Sequence, residues 1–165
     1  GDVYKRQRPD SALPKVPHVA SADEWDARVA ATKDGRVLVV DFTATWCKPC
    51  VDGLPHTTEL AHKNADRGLV VVTMCMGDGN DADETAEALE KLQEKNVTLQ
   101  NYICTLGGGD ESLDAYNIGD SGLPHYKLYG RDGKLVKEFR NDVEAGIGIT
   151  ASDVDADVEK LLSAE

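Results

Sequence analysis

Residues 39–50 read Val39-Val-Asp-Phe-Thr-Ala-Thr-Trp-Cys-Lys-Pro-Cys50, a strand-like run that leads into two cysteines three positions apart. The run from Arg36 to Phe42 is β-branched and almost continuously apolar, which predicts a strand covered on both faces of a sheet. From Cys50 to about Asp66 the pattern becomes helical, with a proline inside it that should kink the helix. A C-x-x-C pair between a strand and a helix is more typical of a redox site than of one half of a zinc site.

The two cysteines have the spacing that a redox pair needs. One helical turn brings positions i and i+3 onto the same face, so the sulfurs of Cys47 and Cys50 can come within bonding reach. Cys47 is predicted to begin the helix, where unpaired backbone N–H groups and the helix dipole lower the pKa of a thiol to roughly 3.5–7.5. Pro49 fits the first helical turn. We therefore expect Cys47 to be the exposed nucleophile and Lys48 to be a solvated neighbour with a small effect.

Asp41 interrupts the apolar strand before the cysteines. Burying a carboxyl group among apolar side chains costs free energy and raises its pKa, and a raised pKa suits proton transfer. The alternative interpretation is a hydrogen-bonded aspartate of the core. The sequence makes Asp41 the third candidate catalytic residue.

The remaining chain alternates strands and helices. Apolar runs predict further strands, which are 69–76, a short one at 98–104, and the two antiparallel strands 124–129 and 135–140 joined by a tight turn. Gly68 should stop the helix that follows the cysteines. The pattern as a whole predicts an α/β domain with a central mixed β-sheet and helices on both faces.

Three helices are predicted after the second long strand. One is opened by the capping box Asp81-x-x-Glu84, with Ala82, Ala86, Leu89 and Leu92 on its inner face. A small helix covers 111–117. The last helix is opened by Ser152-x-x-Asp155, and one apolar stripe along it holds Val154, Val158, Leu161 and Leu162.

The amino-terminal part divides at about residue 20. Residues 1–20 are rich in charge and contain three prolines, which predicts a flexible leader. Ser21-Ala-Asp-Glu24 has the spacing of a capping box and should open a first helix that runs to about Thr32. We expect one domain over 21–165.

Composition excludes some partners. Eighteen basic and thirty acidic residues give a net charge of −12, which repels nucleic acid and anionic lipid surfaces. No apolar run approaches the ~18 residues of a membrane span. We expect a monomer that needs no cofactor and no metal.

The stretch 39–50 resembles the strand and active-site turn of the thioredoxin-like superfamily. Pro55, five residues after the second cysteine, matches the family's kinking proline, and Gly122-Leu123-Pro124 occupies the place of its cis-proline loop. The resemblance covers residues 21–163. The long stretch 77–122 resembles TlpA-like thiol-disulfide oxidoreductases, often extracytoplasmic, which favours a periplasmic location over a cytoplasmic one.

This resemblance implies reduction of protein disulfides, with a second protein restoring the dithiol. Asp41 would accept the proton of Cys50, a cis peptide would precede Pro124, and the backbone of Leu123 would pair with an extended substrate segment. Trp46 would shield the disulfide and contact substrates. Thr43 stands where many members have a second tryptophan, and Lys48 replaces the commoner glycine. The strand around Met74 lacks the lysine that accompanies the buried acid in cytosolic thioredoxins, so the redox potential does not follow from the resemblance.

Two other functions compete with this hypothesis. The first is a metal-binding or metallochaperone module that uses the two cysteines with His56, His62 or His125, although His56 and His62 should point to different faces of their helix. The second is a non-enzymatic interaction domain on the same scaffold.

Three residues with reactive side chains stay outside the predicted site. We expect His125 to face solvent. Cys75 and Cys104 are expected to be buried free thiols, with a structural disulfide between them as the alternative.

Overall fold

The computed structural model describes residues 15–16 and 35–164, and these build a six-stranded mixed sheet. The strands are β1 (Lys15–Val16), β2 (Val37–Thr43), β3 (Leu69–Cys75), β4 (Gln100–Cys104), β5 (His125–Tyr129) and β6 (Leu135–Phe139). The pairs among the first four strands are parallel, whereas β5 is antiparallel to both β2 and β6. Their order across the sheet is β1-β4-β3-β2-β5-β6. The predicted central mixed sheet is confirmed.

Helices cover both faces of this sheet, as predicted. They are α1 (Lys48–Asn64), α2 (Ala82–Glu94), α3 (Asp110–Ala115) and α4 (Asp155–Ser163), with 3-10 turns at Ala65–Arg67, Gly119–Ser121 and Ala151–Val154. Apolar residues of α1, α2 and α4 pack into one core, and α3 with Tyr116 and Ile118 packs into the other. Within the described ranges, none of these helices has both the length and the apolar composition that a membrane crossing needs.

Strand β2 lies inside the sheet between β3 and β5, and all seven of its residues are buried. Successive side chains of a strand point to opposite faces. Val37 and Val39 therefore belong to the core under α1, while Leu38, Val40 and Phe42 belong to the core under α3. Such double burial explains the continuous apolar pattern, because neither face of the strand meets water.

Helix α1 begins at Lys48 with Cys47 as its N-cap, so the predicted position of Cys47 at the helix start is confirmed. Pro55 lies inside the helix as expected. The chain leaves α1 through the turn Ala65–Arg67 and then reverses at Gly68, whose φ is +91°. Glycine tolerates this left-handed conformation without steric cost, so the predicted helix stop is confirmed.

The inner face of α2 differs from the prediction. Asp81 is the N-cap, as expected, and accepts hydrogen bonds from the N–H groups of residues 83 and 84. Leu89 and Leu92 are buried, but Ala82 and Ala86 are exposed, and Thr85 and Ala88 take their places. The buried residues follow the spacing i, i+3, i+4, i+7 of one helical face. The sequence did not show which face is buried, because alanine side chains are small and differ little in apolar area.

The start of the last helix also differs. The reciprocal capping box is formed by Thr150 and Asp153, not by Ser152 and Asp155, and it opens the 3-10 turn that precedes α4. Val154, Val158 and Leu162 are buried as predicted, whereas Leu161 is only partly buried. A 3-10 turn at a helix N-terminus changes the residue spacing, which a purely α-helical pattern does not anticipate.

Two residues of the predicted leader belong to the sheet. Lys15 and Val16 pair in parallel with Ile103 and Cys104 of β4. The rest of residues 1–20 and the predicted first helix at 21–32 lie outside the described residues. The domain boundary at residue 20 therefore stays a prediction.

Candidate active site

Cys47 and Cys50 form a disulfide at the start of α1, with their Cα atoms 5.3 Å apart. Cys47 has the extended backbone of an N-cap, and its Sγ accepts a hydrogen bond from the N–H of Cys50 at 3.4 Å. Pro49 stands in the first turn, where its missing N–H leaves no helical bond unmade. The sulfur of Cys47 therefore lies where helix N–H groups stabilise negative charge once the disulfide is opened.

The two cysteines differ less in solvent exposure than the sequence predicts. Cys47 is 6% exposed and Cys50 is 1% exposed, so both are buried, and the prediction of an exposed Cys47 is wrong in degree. The order of the two is nevertheless as predicted. Ala44 belongs to the same apolar cluster as the two cysteines, and Leu123 packs against that cluster.

Lys48 is exposed and is the solvated lysine that the sequence predicts. Its ammonium group forms an ion pair with Asp52, one helical turn later, at 2.6 Å. A hydrogen bond and the positive charge of Lys48 lower the pKa of Asp52. The charge of the lysine is therefore paired with a surface carboxylate, where an ion pair contributes little to stability.

Trp46 is the most exposed aromatic side chain beside the disulfide, at 61%. Its indole lies against Gly108, where a Cβ atom would come within 2.9 Å of Nε1. The same Cβ would be 3.0 Å from the carbonyl oxygen of Met76. The loop after β4 thus supports one edge of the indole, and the rest of the ring faces solvent.

Asp41 is buried in β2 on the face that α1 covers. Burial raises its pKa to about 7, and a hydrogen bond from Thr57 opposes part of that rise. The Thr57 hydroxyl donates to Oδ2 at 3.0 Å, and Oδ1 has no hydrogen-bond partner among the described residues. The predicted burial and raised pKa are confirmed, and the chemical role of Asp41 stays a prediction.

The loop before β5 contains the cis peptide that the resemblance implies, between Leu123 and Pro124. The register of β5 places His125 opposite Phe42, so Pro124 enters the sheet beside the end of β2 that leads to the cysteines. Leu123 packs against the cluster that holds the disulfide. The structure therefore brings the two predicted parts of the site together.

The side chain that holds this loop in place, Asn141, was not predicted from the sequence. The Asn141 side chain donates to the carbonyl oxygens of Ser121 at 3.1 Å and Leu123 at 3.2 Å, and accepts from the N–H of Ile149 at 2.9 Å. The expectation of a free Leu123 backbone is thus wrong for its carbonyl. Eighteen residues separate Asn141 from Leu123, so no local pattern could reveal the contact.

His125 is fully buried, at 0% exposure, and the expectation that it faces solvent is wrong. Its side chain lies on the same face of the sheet as Phe42. The two rings meet edge to face, with their centres 5.7 Å apart. Burial lowers its pKa to about 4, although the nearby Glu138 opposes this shift. Nε2 lies 3.3 Å from Oε1 of Glu138, and Nδ1 has no partner among the described residues.

Cys75 and Cys104 are free and buried, as predicted. Cys75 lies opposite Ile103 in the parallel pair of β3 and β4, and the two cysteines belong to the cores on opposite faces of the sheet. Burial raises the pKa of Cys75 to about 12. A disulfide between them would require one side chain to cross the sheet, so the alternative of a structural bond fails.

The histidines that the metal-binding alternative requires are engaged elsewhere. Nε2 of His56 lies 2.9 Å from both carboxylate oxygens of Asp155, and Nε2 of His62 lies 2.7 Å from the Thr98 hydroxyl. In the part of the chain that the structure describes, no three His, Cys, Asp or Glu side chains are grouped to hold a metal ion. No observation favours this alternative.

Comparison with known families places the chain among redox proteins. The Redoxin family model matches residues 9–158. Thiol-disulfide oxidoreductase ResA of Bacillus cereus is 30% identical over 105 residues, which are 64% of this chain and 55% of that protein. Thioredoxin H-type of Fagopyrum esculentum is 43% identical over 44 residues, 26% of this chain and 38% of that protein. The chain thus spans about half the length of its ResA relatives.

Solved structures show the same architecture. A thiol:disulfide interchange protein of the thioredoxin family from Chlorobium tepidum TLS aligns with a TM-score of 0.62 at 18% identity, over 92% of this chain and 96% of that chain. A secreted disulfide oxidoreductase of Mycobacterium tuberculosis, homologous to E. coli DsbE, aligns with a TM-score of 0.58 at 18% identity, over 79% and 86%. These similarities establish the thioredoxin-like fold.

Proposed function

This chain belongs to the Redoxin family, and from that premise we propose that it is a thiol-disulfide oxidoreductase that reduces protein disulfides through Cys47 and Cys50. The observation that carries the proposal is the disulfide at the start of α1, with Cys47 as the N-cap. A cysteine at a helix N-terminus is a stabilised thiolate when reduced, and the thiolate is the attacking species in disulfide exchange.

The first step opens the substrate. The Cys47 thiolate attacks one sulfur of the substrate disulfide, so a bond forms between Cys47 and the substrate while the substrate disulfide breaks. The departing substrate thiolate takes a proton from water. The exposed indole of Trp46 and the partly exposed side chain of Leu123, which packs against the cluster that holds the disulfide, offer apolar surface to the substrate chain, whereas Pro124 is buried.

The second step releases the substrate. The Cys50 thiol gives its proton, through a water molecule, to the Asp41 carboxylate and attacks the Cys47 sulfur. The Cys47–Cys50 bond forms, the mixed disulfide breaks, and the second substrate thiolate leaves. Two electrons pass from the dithiol to the substrate, so a redox partner protein must return two electrons before the next cycle.

Insulin reduction tests this proposal. The wild-type protein, kept reduced by dithiothreitol, should accelerate the precipitation of insulin, and Cys47→Ser should fall to the rate of dithiothreitol alone because the nucleophile is gone. Cys75→Ser is the matched control, since it removes a buried thiol of high pKa on strand β3 and should retain activity. Equal rates for wild type and Cys47→Ser would refute the enzymatic function.

A further inference from the structure

Thr57 is the one side chain that donates a hydrogen bond to Asp41 among the described residues. Both residues are buried, and the bond joins α1 to the central strand β2. Thr57 follows Cys50 by seven residues, which is about two turns, so both side chains lie on the sheet-facing side of α1. The helix that carries the resolving cysteine therefore also carries the hydrogen-bond donor to the buried carboxyl group.

The rest of the surroundings of Asp41 provide little else that could stabilise a negative charge. In the strand register, Thr73 of β3 and Tyr126 of β5 lie opposite Asp41. The Thr73 hydroxyl donates to Asn101 instead, at 2.6 Å. The phenol of Tyr126 reaches the position of Gly53 on α1, where a Cβ atom would lie 3.5 Å from its oxygen.

The ionisable groups around Asp41 are uncharged or acidic. Burial, and then the negative charges of Asp41 and Asp153, raise the pKa of Tyr126, so this phenol stays neutral. Cys50 does not titrate while its sulfur is bound to Cys47 in the disulfide. No cation among the described residues contributes to the pKa of Asp41, which burial raises and Thr57 lowers. The threonine hydroxyl thus acts without help from a positive charge.

We propose that Thr57 is a positioning residue that sets the proton affinity of Asp41 and thereby the pH range in which Cys50 can resolve the mixed disulfide. This inference rests on the proposed function. The hydroxyl proton on Oδ2 stabilises the ionised carboxylate, because a hydrogen bond to a charged acceptor is stronger than one to a neutral acceptor. It leaves Oδ1 open to take the proton of Cys50.

Direct titration of Asp41 tests the inference without depending on activity. The carboxyl carbon of Asp41 is followed by NMR in reduced protein labelled with ¹³C-aspartate, and Asp41→Asn assigns the signal. Thr57→Val, which keeps the shape but removes the donor, should raise the pKa of Asp41 by about 1–2 units. Thr57→Ser should restore a value close to that of the wild type.

Thr58→Val is the matched control. Thr58 is the neighbouring buried threonine, but its hydroxyl donates to the Leu54 carbonyl within α1. This variant should leave the pKa of Asp41 unchanged even if it lowers the stability of the helix. A shift as large as that of Thr57→Val would mean that any lost threonine hydroxyl perturbs the site, and would overturn the inference.

The pH profile of insulin reduction connects the titration to catalysis. The rising limb of the profile should move to higher pH in Thr57→Val by the same amount as the pKa of Asp41. An unchanged pKa, or a changed pKa with an unchanged profile, would overturn the inference. If the wild-type protein itself reduced no insulin, the proposed function would fail, while the NMR titration would still decide whether Thr57 holds the proton affinity of Asp41.

Discussion

His125 lies in the core under α3, although it directly follows the loop that forms part of the active site. Phe42 packs against its ring, and the carboxylate of Glu138 accepts from its Nε2. Lys127 and Arg140 also pair with Glu138 and oppose a positive charge on the imidazole. The surroundings therefore favour neutral imidazole near the redox site.

We predict that the His125 ring titrates near pH 4, well below the ordinary histidine value, because burial disfavours its charged form. A folded-state pKa below the unfolded value also means that His125 destabilises the fold as the pH falls from about 6.5 toward 4. NMR titration of ¹⁵N-histidine protein, with His125→Asn to assign the ring, measures this pKa. A midpoint near 6.5 in the folded protein would contradict the burial of this side chain.

At the level of elements, the loop after β4 and the turn before α1 fit closely. Cys104 donates to the Gly77 carbonyl at 3.1 Å, and the Gly107 N–H donates to the same carbonyl at 2.9 Å. These bonds hold Gly108 against Trp46 and the Met76 backbone. Of the three consecutive glycines 107–109, Gly108 thus forms a packing surface.

Gly108→Ala should destabilise the protein by about 1–3 kcal/mol, the usual cost of forcing extra volume into a packed contact. Its Cβ would meet a backbone oxygen, which cannot swing away as a flexible side chain can. Urea unfolding followed by circular dichroism measures the loss. Gly109→Ala is the control, since no atom of the described residues lies within 4 Å of its Cβ position, and it should cost clearly less. Equal costs would show that the contact with Trp46 and Met76 does not matter.

At the scale of the whole molecule, the sheet separates two apolar cores, and Asp41 is an ionisable group enclosed in one of them. Its carboxyl group resists ionisation in the fold but not in the unfolded chain. The pKa is about 7 when folded, against 3.8 as the ordinary value. The unfolded chain therefore loses its proton first as the pH rises, and the fold loses stability over this window.

We predict that the wild-type protein loses about 4 kcal/mol of unfolding free energy relative to Asp41→Asn between pH 4 and pH 8. The stabilising contribution of protonated Asp41 is fully present below about pH 3.8 and disappears as the pH rises through about 7. Urea unfolding of both oxidised proteins at several pH values gives this difference, and the shared contribution of His125 cancels. Parallel curves for the two proteins would show that Asp41 ionises normally in the fold.

The sequence by itself determined the order of the elements from β2 onward, the mixed sheet and the position of the disulfide at the start of α1. These features depend on local physical effects. Apolar runs form buried strands, Asp81 caps α2, Gly68 reverses the chain, and C-x-x-C spacing places two sulfurs one turn apart. The buried acid at residue 41 was also readable, since its flanking residues are apolar.

Only the tertiary structure decided which distant side chains meet. Strand pairing puts His125 inside the core, Cys75 and Cys104 on opposite faces, and the Asn141 side chain on the Leu123 carbonyl. It also brings Thr57 to Asp41 across sixteen residues of chain. Such contacts depend on the strand register and on how each helix lies on the sheet, and both follow from the packing of the whole domain rather than from any local pattern.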